Sequence, residues 1–316
     1  MPRVSVIIPV YGVEKYIERC VRSLFSQTLS DMEFIFIDDC TPDLSVEILQ
    51  KLIDEYNPYL KGKRSIVNIY KMPSNMGQAE VRRVGCNLAT GDYVIHCDSD
   101  DWVDEDMYEK LYRAAVTQNS DVVICDFYQS TSCDDRYIKA CYSTDRDVII
   151  CDLMKGRGYW SLCNKLIKRS LYDSVERFPV ANMGEDMVLT LQLLSNSNKI
   201  SYIETSCYHY FINETSIVRN KSVDSIVGRF SQVVKNVHVL EDVFRKLNTS
   251  LDFNFSLDYL KLRQLHILSS LLGEFKYYEM WKGTFPEIRF RILINPYVNL
   301  KEKVKYYLRL LRLYTR

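Results

Sequence analysis

The chain has 316 residues, 47% hydrophobic and 26% charged, the profile of a soluble globular protein with one large domain and room for an appendage. Its 41 Lys and Arg balance 41 Asp and Glu, so no bulk charge draws it to nucleic acid, and an anionic ligand must be met by locally placed groups. Ten cysteines without a C-x-x-C pair exclude a zinc ribbon and a thioredoxin-like site and fit reduced cytosolic thiols.

The apolar run from Val4 to Val13 is interrupted by Pro9 and lacks a small-x-small cleavage site, so it does not read as a signal peptide. No uncharged apolar stretch approaches the ~20 residues that span a bilayer. A cytoplasmic protein is expected. Over the first 125 residues, short β-branched runs apolar on both faces (Val4 to Ile8, Glu33 to Ile37, Ile66 to Tyr70, Tyr93 to Ile95, Val122 to Ile124) alternate with segments of helical spacing. One such segment sets Ile17, Cys20, Val21, Leu24 and Phe25 on a single face. The alternation predicts an α/β fold of βαβ units around a mostly parallel central sheet flanked by helices. Residues 131–147 read as polar and irregular, 160–171 and 185–194 as helical, and 199–211 as a strand. A domain over 1–220 and a helical C-terminal extension over 221–316 are expected.

Ligands of open α/β sheets bind beyond the carboxyl ends of the strands. The residues there are Pro9-Val10-Tyr11-Gly12, Asp38-Asp39, Asn75-Met76-Gly77 and Asp98-Ser99-Asp100-Asp101. Three carboxylates in four residues repel one another, and a hard cation offsets that cost; Mg²⁺ or Mn²⁺ would bridge to substrate phosphates. The competing reading is a solvated turn ahead of a helix near Asp104. Asp38-Asp39 can accept hydrogen bonds from a base or ribose, and helix capping suits Thr41 or Asp43 better, which leaves the pair without a structural role. Either Arg82 or Arg83 can pair with phosphate or simply face water. Glu185-Asp186 opens an apolar helical run, where capping and general-base chemistry explain it equally well. The basic group Lys165, Lys168 and Arg169 reads as a helix face meeting water.

Taken together, Val4 to Tyr11, Cys20, Ser23-Leu24, Gln27-Thr28, Asp38-Asp39, Asn75-x-Gly77 with Arg82, Gly91-Asp92-Tyr93 and Asp98-Ser99-Asp100-Asp101 resemble the family 2 glycosyltransferases of GT-A fold. Asn164-Lys165-Leu166, Gly184-Glu185-Asp186 and Thr215-Ser216-Ile217 resemble that family's later blocks, so the match spans about residues 3 to 220. The resemblance implies a metal-dependent, inverting transfer of a sugar from a nucleotide-diphosphate sugar, UDP-linked, to a glycan or lipid-linked acceptor in polysaccharide biosynthesis. Pro9, Val10, Tyr11, Asp38, Asp39, Asn75, Gly77, Arg82, Asp98, Ser99 and Asp100 would bind the nucleotide sugar. Asp100 and Asp98, helped by Asp101, would hold Mn²⁺ or Mg²⁺; Asp186 would be the base, assisted by Glu185. Gly12 and Arg83 depart from the family pattern, each standing where Asn is common. Two other readings remain, a sugar nucleotidyltransferase and a non-catalytic nucleotide-sugar-binding module. The first usually carries a Gly-rich basic loop after its first strand, which Pro9-Val10-Tyr11-Gly12 is not.

Residues 301–316 hold six basic residues and one acidic, with Val304, Tyr307, Leu308 and Leu311 as an apolar stripe. Such a helix either lies on an anionic membrane as a peripheral contact or docks on its own protein.

Overall fold

A computed structural model describes residues 1–131, 133–140, 143–212, 220–246 and 250–313. The expected block Thr215-Ser216-Ile217 lies outside the described residues. The chain forms two compact units, one of residues 1–146, 160–178 and 185–214, the other of residues 147–159, 179–184 and 215–316. The division is discontinuous, where the sequence reading has a single boundary at residue 220.

The first unit is built on one sheet. Its strands are β1 (Val4–Val10), β2 (Met32–Asp38), β3 (Ile66–Lys71), β4 (Tyr93–His96), β5 (Trp102–Val103), β6 (Val122–Ser130), β7 (Asp135–Ile138), β8 (Lys165–Lys168) and β9 (Ile200–Phe211). They lie in the order β3-β2-β1-β4-β8-β6-β9-β5, with β7 added to β6. The ladders β2–β3, β1–β2, β1–β4 and β6–β9 are parallel, while β8, β5 and β7 run antiparallel to their neighbours. The helices α1 (Ile17–Phe25), α2 (Ser45–Gly62), α3 (Gln78–Leu88), α4 (Met107–Gln118) and α6 (Glu185–Ser195) belong to this unit. Successive residues of β1 and β2 point to opposite faces, and Val6, Ile7, Ile8, Ile35 and Phe36 are all fully buried, so both faces of the central strands are covered.

Register decides where the loops emerge. Val10 is level with Asp38, and Ile7 with His96, so β1, β2 and β4 deliver their carboxyl ends to one edge of the sheet. Two close approaches tighten this half. A Cβ on Gly85 of α3 would meet Ile7 Cγ2 at 2.4 Å, and one on Gly91 would meet the Ser5 nitrogen at 2.8 Å. Buried Glu33 accepts from Ser5 Oγ (2.5 Å) and from Thr90 N (2.9 Å), fixing the turn that leads into β4.

Three local expectations are corrected. Residues 160–171 are not a helix: after an irregular stretch, β8 inserts between β4 and β6 with Leu166 and Ile167 buried on opposite faces, and a 3₁₀ turn follows over Arg169–Ser174. Residues 131–147 are not wholly irregular, since Asp135–Ile138 pairs with β6 and Ala140 N donates to buried Asp126 at 2.7 Å. The Ile66–Lys71 strand is not covered on both faces; it forms the sheet edge, with Ile66 47% exposed.

The second unit is helical, with α5 (Arg146–Met154), α7 (Val223–Phe244), α8 (Leu251–Leu265), α9 (Phe275–Gly283), α10 (Ile288–Ile294) and α11 (Leu300–Leu310). Val237, Leu240, Leu260, Leu268, Trp281, Ile288 and Ile292 make its interior. Buried Lys261 bridges Glu241 and Glu287, a pairing that a cation in an apolar interior requires. Among the described residues no helix is long and apolar enough to cross a membrane.

Candidate active site

The loops after β1, β2 and β3 are knitted together by carboxylates. Asp39 N donates to Val10 O (3.0 Å), and the two Asp39 oxygens accept from Met76 N (2.7 Å) and Gly77 N (2.8 Å). Asp38 Oδ1 accepts from Thr41 N at 2.8 Å, and Thr41 Oγ1 accepts from Gly12 N at 2.8 Å. Gly77 takes φ +82°, a left-handed conformation that spares the loop the strain a side chain would bring just before α3. The view that Asp38-Asp39 lacks a structural role is therefore corrected: both are buried, and both clasp loops. The Val10 side chain is fully buried in the core, and its carbonyl accepts from Asp39 N. Tyr11 is 50% exposed, Asn75 is exposed and Pro9 is partly exposed, so these present surface beside the loops.

β4 runs into the acidic loop through Cys97, whose N–H donates to Ile7 O at 3.0 Å. Asp98 receives Arg82 Nη2 at 2.9 Å and Gln78 Nε2 at 3.3 Å, and its side chain remains 30% exposed. Ser99 is buried, and Asp100 is partly exposed. The Asp100 carbonyl accepts from Arg19 Nη2 at 2.9 Å, and that guanidinium lies 3.7 Å from the Trp102 ring centre and 4.6 Å from that of Phe211. Asp101 is different. It has no exposed surface, accepts from Tyr208 Oη (2.5 Å) and Phe211 N (2.7 Å), and has its pKa pushed well up by burial and then by Asp100 and Asp98. Expected as a helper ligand, Asp101 here has both oxygens engaged by β9 and ties that strand to the acidic loop.

The carboxylates of this loop that keep some exposure are Asp98 and Asp100. Among the described residues no group of three His, Cys, Asp or Glu is arranged to hold a metal ion unaided. Two carboxylates fit Mg²⁺ or Mn²⁺ bound jointly with phosphate and water, and do not fit an ion caged wholly by protein.

Arg82 links this loop to a segment a hundred residues away. It projects from α3, is 4% exposed, and adds a contact from Nε to Glu185 Oε1 at 3.4 Å. Burial alone would lower its pKa; Asp98, Glu185 and Asp186 outweigh that and hold the guanidinium charged. Arg83 instead faces outward and pairs with Glu80, which separates the two arginines that sequence alone left equal. Burial, then the neighbouring Asp186, pushes the Glu185 carboxyl up to about 8. Asp186 is also raised by burial, although its Oδ1 accepts Met187 N at 2.7 Å in the first turn of α6. Lys165 is a residue the sequence reading misplaced. It is a buried strand residue whose Nζ donates to Ser161 O (2.7 Å) and Asn164 Oδ1 (3.0 Å), and its charge is felt by Asp186. Gln78 and Arg19 were not singled out at all; their polar ends meet the acidic loop only once α1 and α3 are folded beside it.

Comparison with known proteins places the family and the fold. The family described as Glycosyl transferase family 2 matches residues 5–175. Glycosyltransferase GlyA of Streptococcus pneumoniae is 29% identical over 229 residues, covering 69% of this chain and 32% of GlyA, so the chain spans about a third of that relative's length. Among solved structures, S. aureus TarS 1–349 in complex with UDP-GlcNAc superposes with a TM-score of 0.58 at 17% identity, covering 96% of this chain and 91% of that one. The mannosyltransferase PcManGT from Pyrobaculum calidifontis, in complex with GDP-Man and Mn²⁺, gives a TM-score of 0.58 at 15% identity, covering 98% and 86%. The chain belongs to glycosyltransferase family 2 and has the GT-A fold.

Proposed function

We propose that the enzyme transfers a sugar from a UDP-linked donor to a glycan or lipid-linked acceptor hydroxyl, by a single displacement that inverts the anomeric centre. The observation that carries this reading is the Arg82 bridge, which joins Asp98 at the end of β4 to Glu185 at the start of α6. The donor diphosphate would lie against Asp98 and Asp100, with Tyr11 and Asn75 beside the base and ribose. A divalent cation held by Asp100 with Asp98 would supply electrostatic stabilisation to the departing nucleotide diphosphate.

The remaining work falls to the chain's own groups. Asp186 would take the proton of the acceptor hydroxyl as that oxygen attacks the anomeric carbon and the bond to the diphosphate breaks. Burial makes its carboxylate a stronger base than an exposed one, and the Met187 N–H and Arg82 keep it oriented and partly compensated. Arg82 would also hold Asp98 in place when charge on the leaving group grows. TarS and PcManGT, whose complexes contain UDP-GlcNAc and GDP-Man with Mn²⁺, support a nucleotide-sugar donor and a metal.

The test is a panel of UDP- and GDP-sugars incubated with the purified chain, Mn²⁺ and a simple glycoside acceptor, read by NMR of the product anomer. An inverted anomer formed only when Mn²⁺ or Mg²⁺ is present is expected. A retained anomer, or full turnover in EDTA, overturns the corresponding part of the reading.

A further inference from the structure

Residues 286–313 hold seven Lys or Arg against two Glu, in a chain whose total charge is balanced; Arg309 is buried and Arg291 pairs with Asp258, and the segment remains positive without them. The structure folds this segment into a helical hairpin. Tyr307 Oη donates to the Arg289 carbonyl, and Lys303 Nζ to that of Leu293 at 2.8 Å. The pairs 289–307 and 293–303 close inward along the chain, so α10 and α11 lie side by side and antiparallel. Each helix is seated by one face: Ile288 and Ile292 on α10, Tyr306 and Arg309 on α11, are buried. Their other faces therefore share one outer surface.

That surface is apolar. It carries Phe290, Leu293, Ile294, Leu300 and Val304, from 50% exposed at Val304 to 83% at Phe290. Scattered exposed apolar side chains are ordinary, but five on adjoining turns of two paired helices, among Lys and Arg, mark an interaction surface. The sequence reading sets membrane contact against packing for the last helix. The fold gives α11 an inner face that packs, and adds from α10 three apolar residues that the terminal stripe did not include.

We infer that the α10–α11 hairpin docks on an anionic lipid bilayer. The apolar side chains enter the boundary between headgroups and acyl chains, and exposed Lys301 beside them reaches a lipid phosphate. Charge selects this occupant. A second copy of the chain would set two positive hairpins face to face, whereas an anionic bilayer complements both the charge and the apolar face. The inference stands apart from the identity of donor and acceptor.

The test is co-sedimentation of the full chain with phosphatidylcholine vesicles and with mixed phosphatidylcholine–phosphatidylglycerol vesicles. Binding only to the mixed vesicles is expected, weakening as salt is raised. The double variant Phe290→Ser/Ile294→Ser should lose at least about tenfold in partitioning, and Lys301→Glu about fivefold or more. Because these side chains face solvent, melting temperature and donor hydrolysis in both variants should match the parent. No binding by the parent, equal binding by the double variant, or a parent dimer that the double variant converts to monomer would each overturn the inference.

Discussion

Asp100, Asp101 and Asp186 sit in three different surroundings, partly exposed, wholly buried, and at the first turn of a helix, and the proposed reading gives them three different roles. Asp100→Asn and Asp186→Asn are expected to lower turnover at least about hundredfold while leaving the melting temperature near the parent's. Asp101→Asn is expected to keep activity, since a neutral amide can replace the buried carboxyl between Tyr208 and Phe211. Steady-state kinetics on the three variants checks the assignment. Glu185 adds a pH dependence. Its carboxyl keeps a proton in the folded state up to about 8, while the unfolded chain releases it near 4.5. Its contribution to stability is therefore fully present below about 4.5 and is lost as pH rises through about 8. Glu185→Gln keeps the neutral form, so melting temperatures taken from pH 5 to pH 9 should decline less steeply than the parent's, a slope to be expected on the order of one titrating group.

At the level of elements, the acidic loop is aimed by the turn that precedes its strand. Gly91 N donates to Ser5 Oγ at 2.9 Å, and no Cβ fits there without meeting the backbone of Val4 and Ser5. Backbone cannot swing aside as a side-chain end can. Gly91→Ala should therefore cost about 1–3 kcal/mol, seen as a lower urea midpoint. It should also weaken Mn²⁺-dependent nucleotide binding, because β4 and the Asp98 loop shift together. At Gly85 the obstruction is the Ile7 side chain, chiefly its Cγ2, so Gly85→Ala and Ile7→Ala should be less than additive, the double variant losing less stability than the two single losses combined.

For the whole molecule, a donor that binds only the folded chain stabilises it by mass action, about 2.7 kcal/mol at a hundred times its Kd. UDP with Mn²⁺ should raise the melting temperature of the parent and much less that of Asp100→Asn. An equal rise in both would remove Asp100 from the metal site. The outer face of the α10–α11 hairpin belongs to this scale as well, since its apolar residues come from two helices.

The sequence by itself determined the βαβ half. Runs such as Val4–Val10 and Met32–Asp38 are apolar on both faces, and that pattern is local, as is the clustering of Asp98, Asp100 and Asp186 in blocks of family spacing. What it did not carry were facts set by contacts between distant segments. Lys165-Leu166-Ile167-Lys168 has no helical or alternating signature strong enough to announce a strand, and only the gap between β4 and β6 makes it one. Arg82 and Arg83 are neighbours with the same chemistry, so no local pattern tells them apart; the helix turns one toward Asp98 and Glu185 and the other toward water. The same holds for Asp101 beside Asp100. Burial, and with it the choice between ligand and anchor, is a property of the packed chain, because it depends on which side chains from β9, α1 and α6 arrive at the same place.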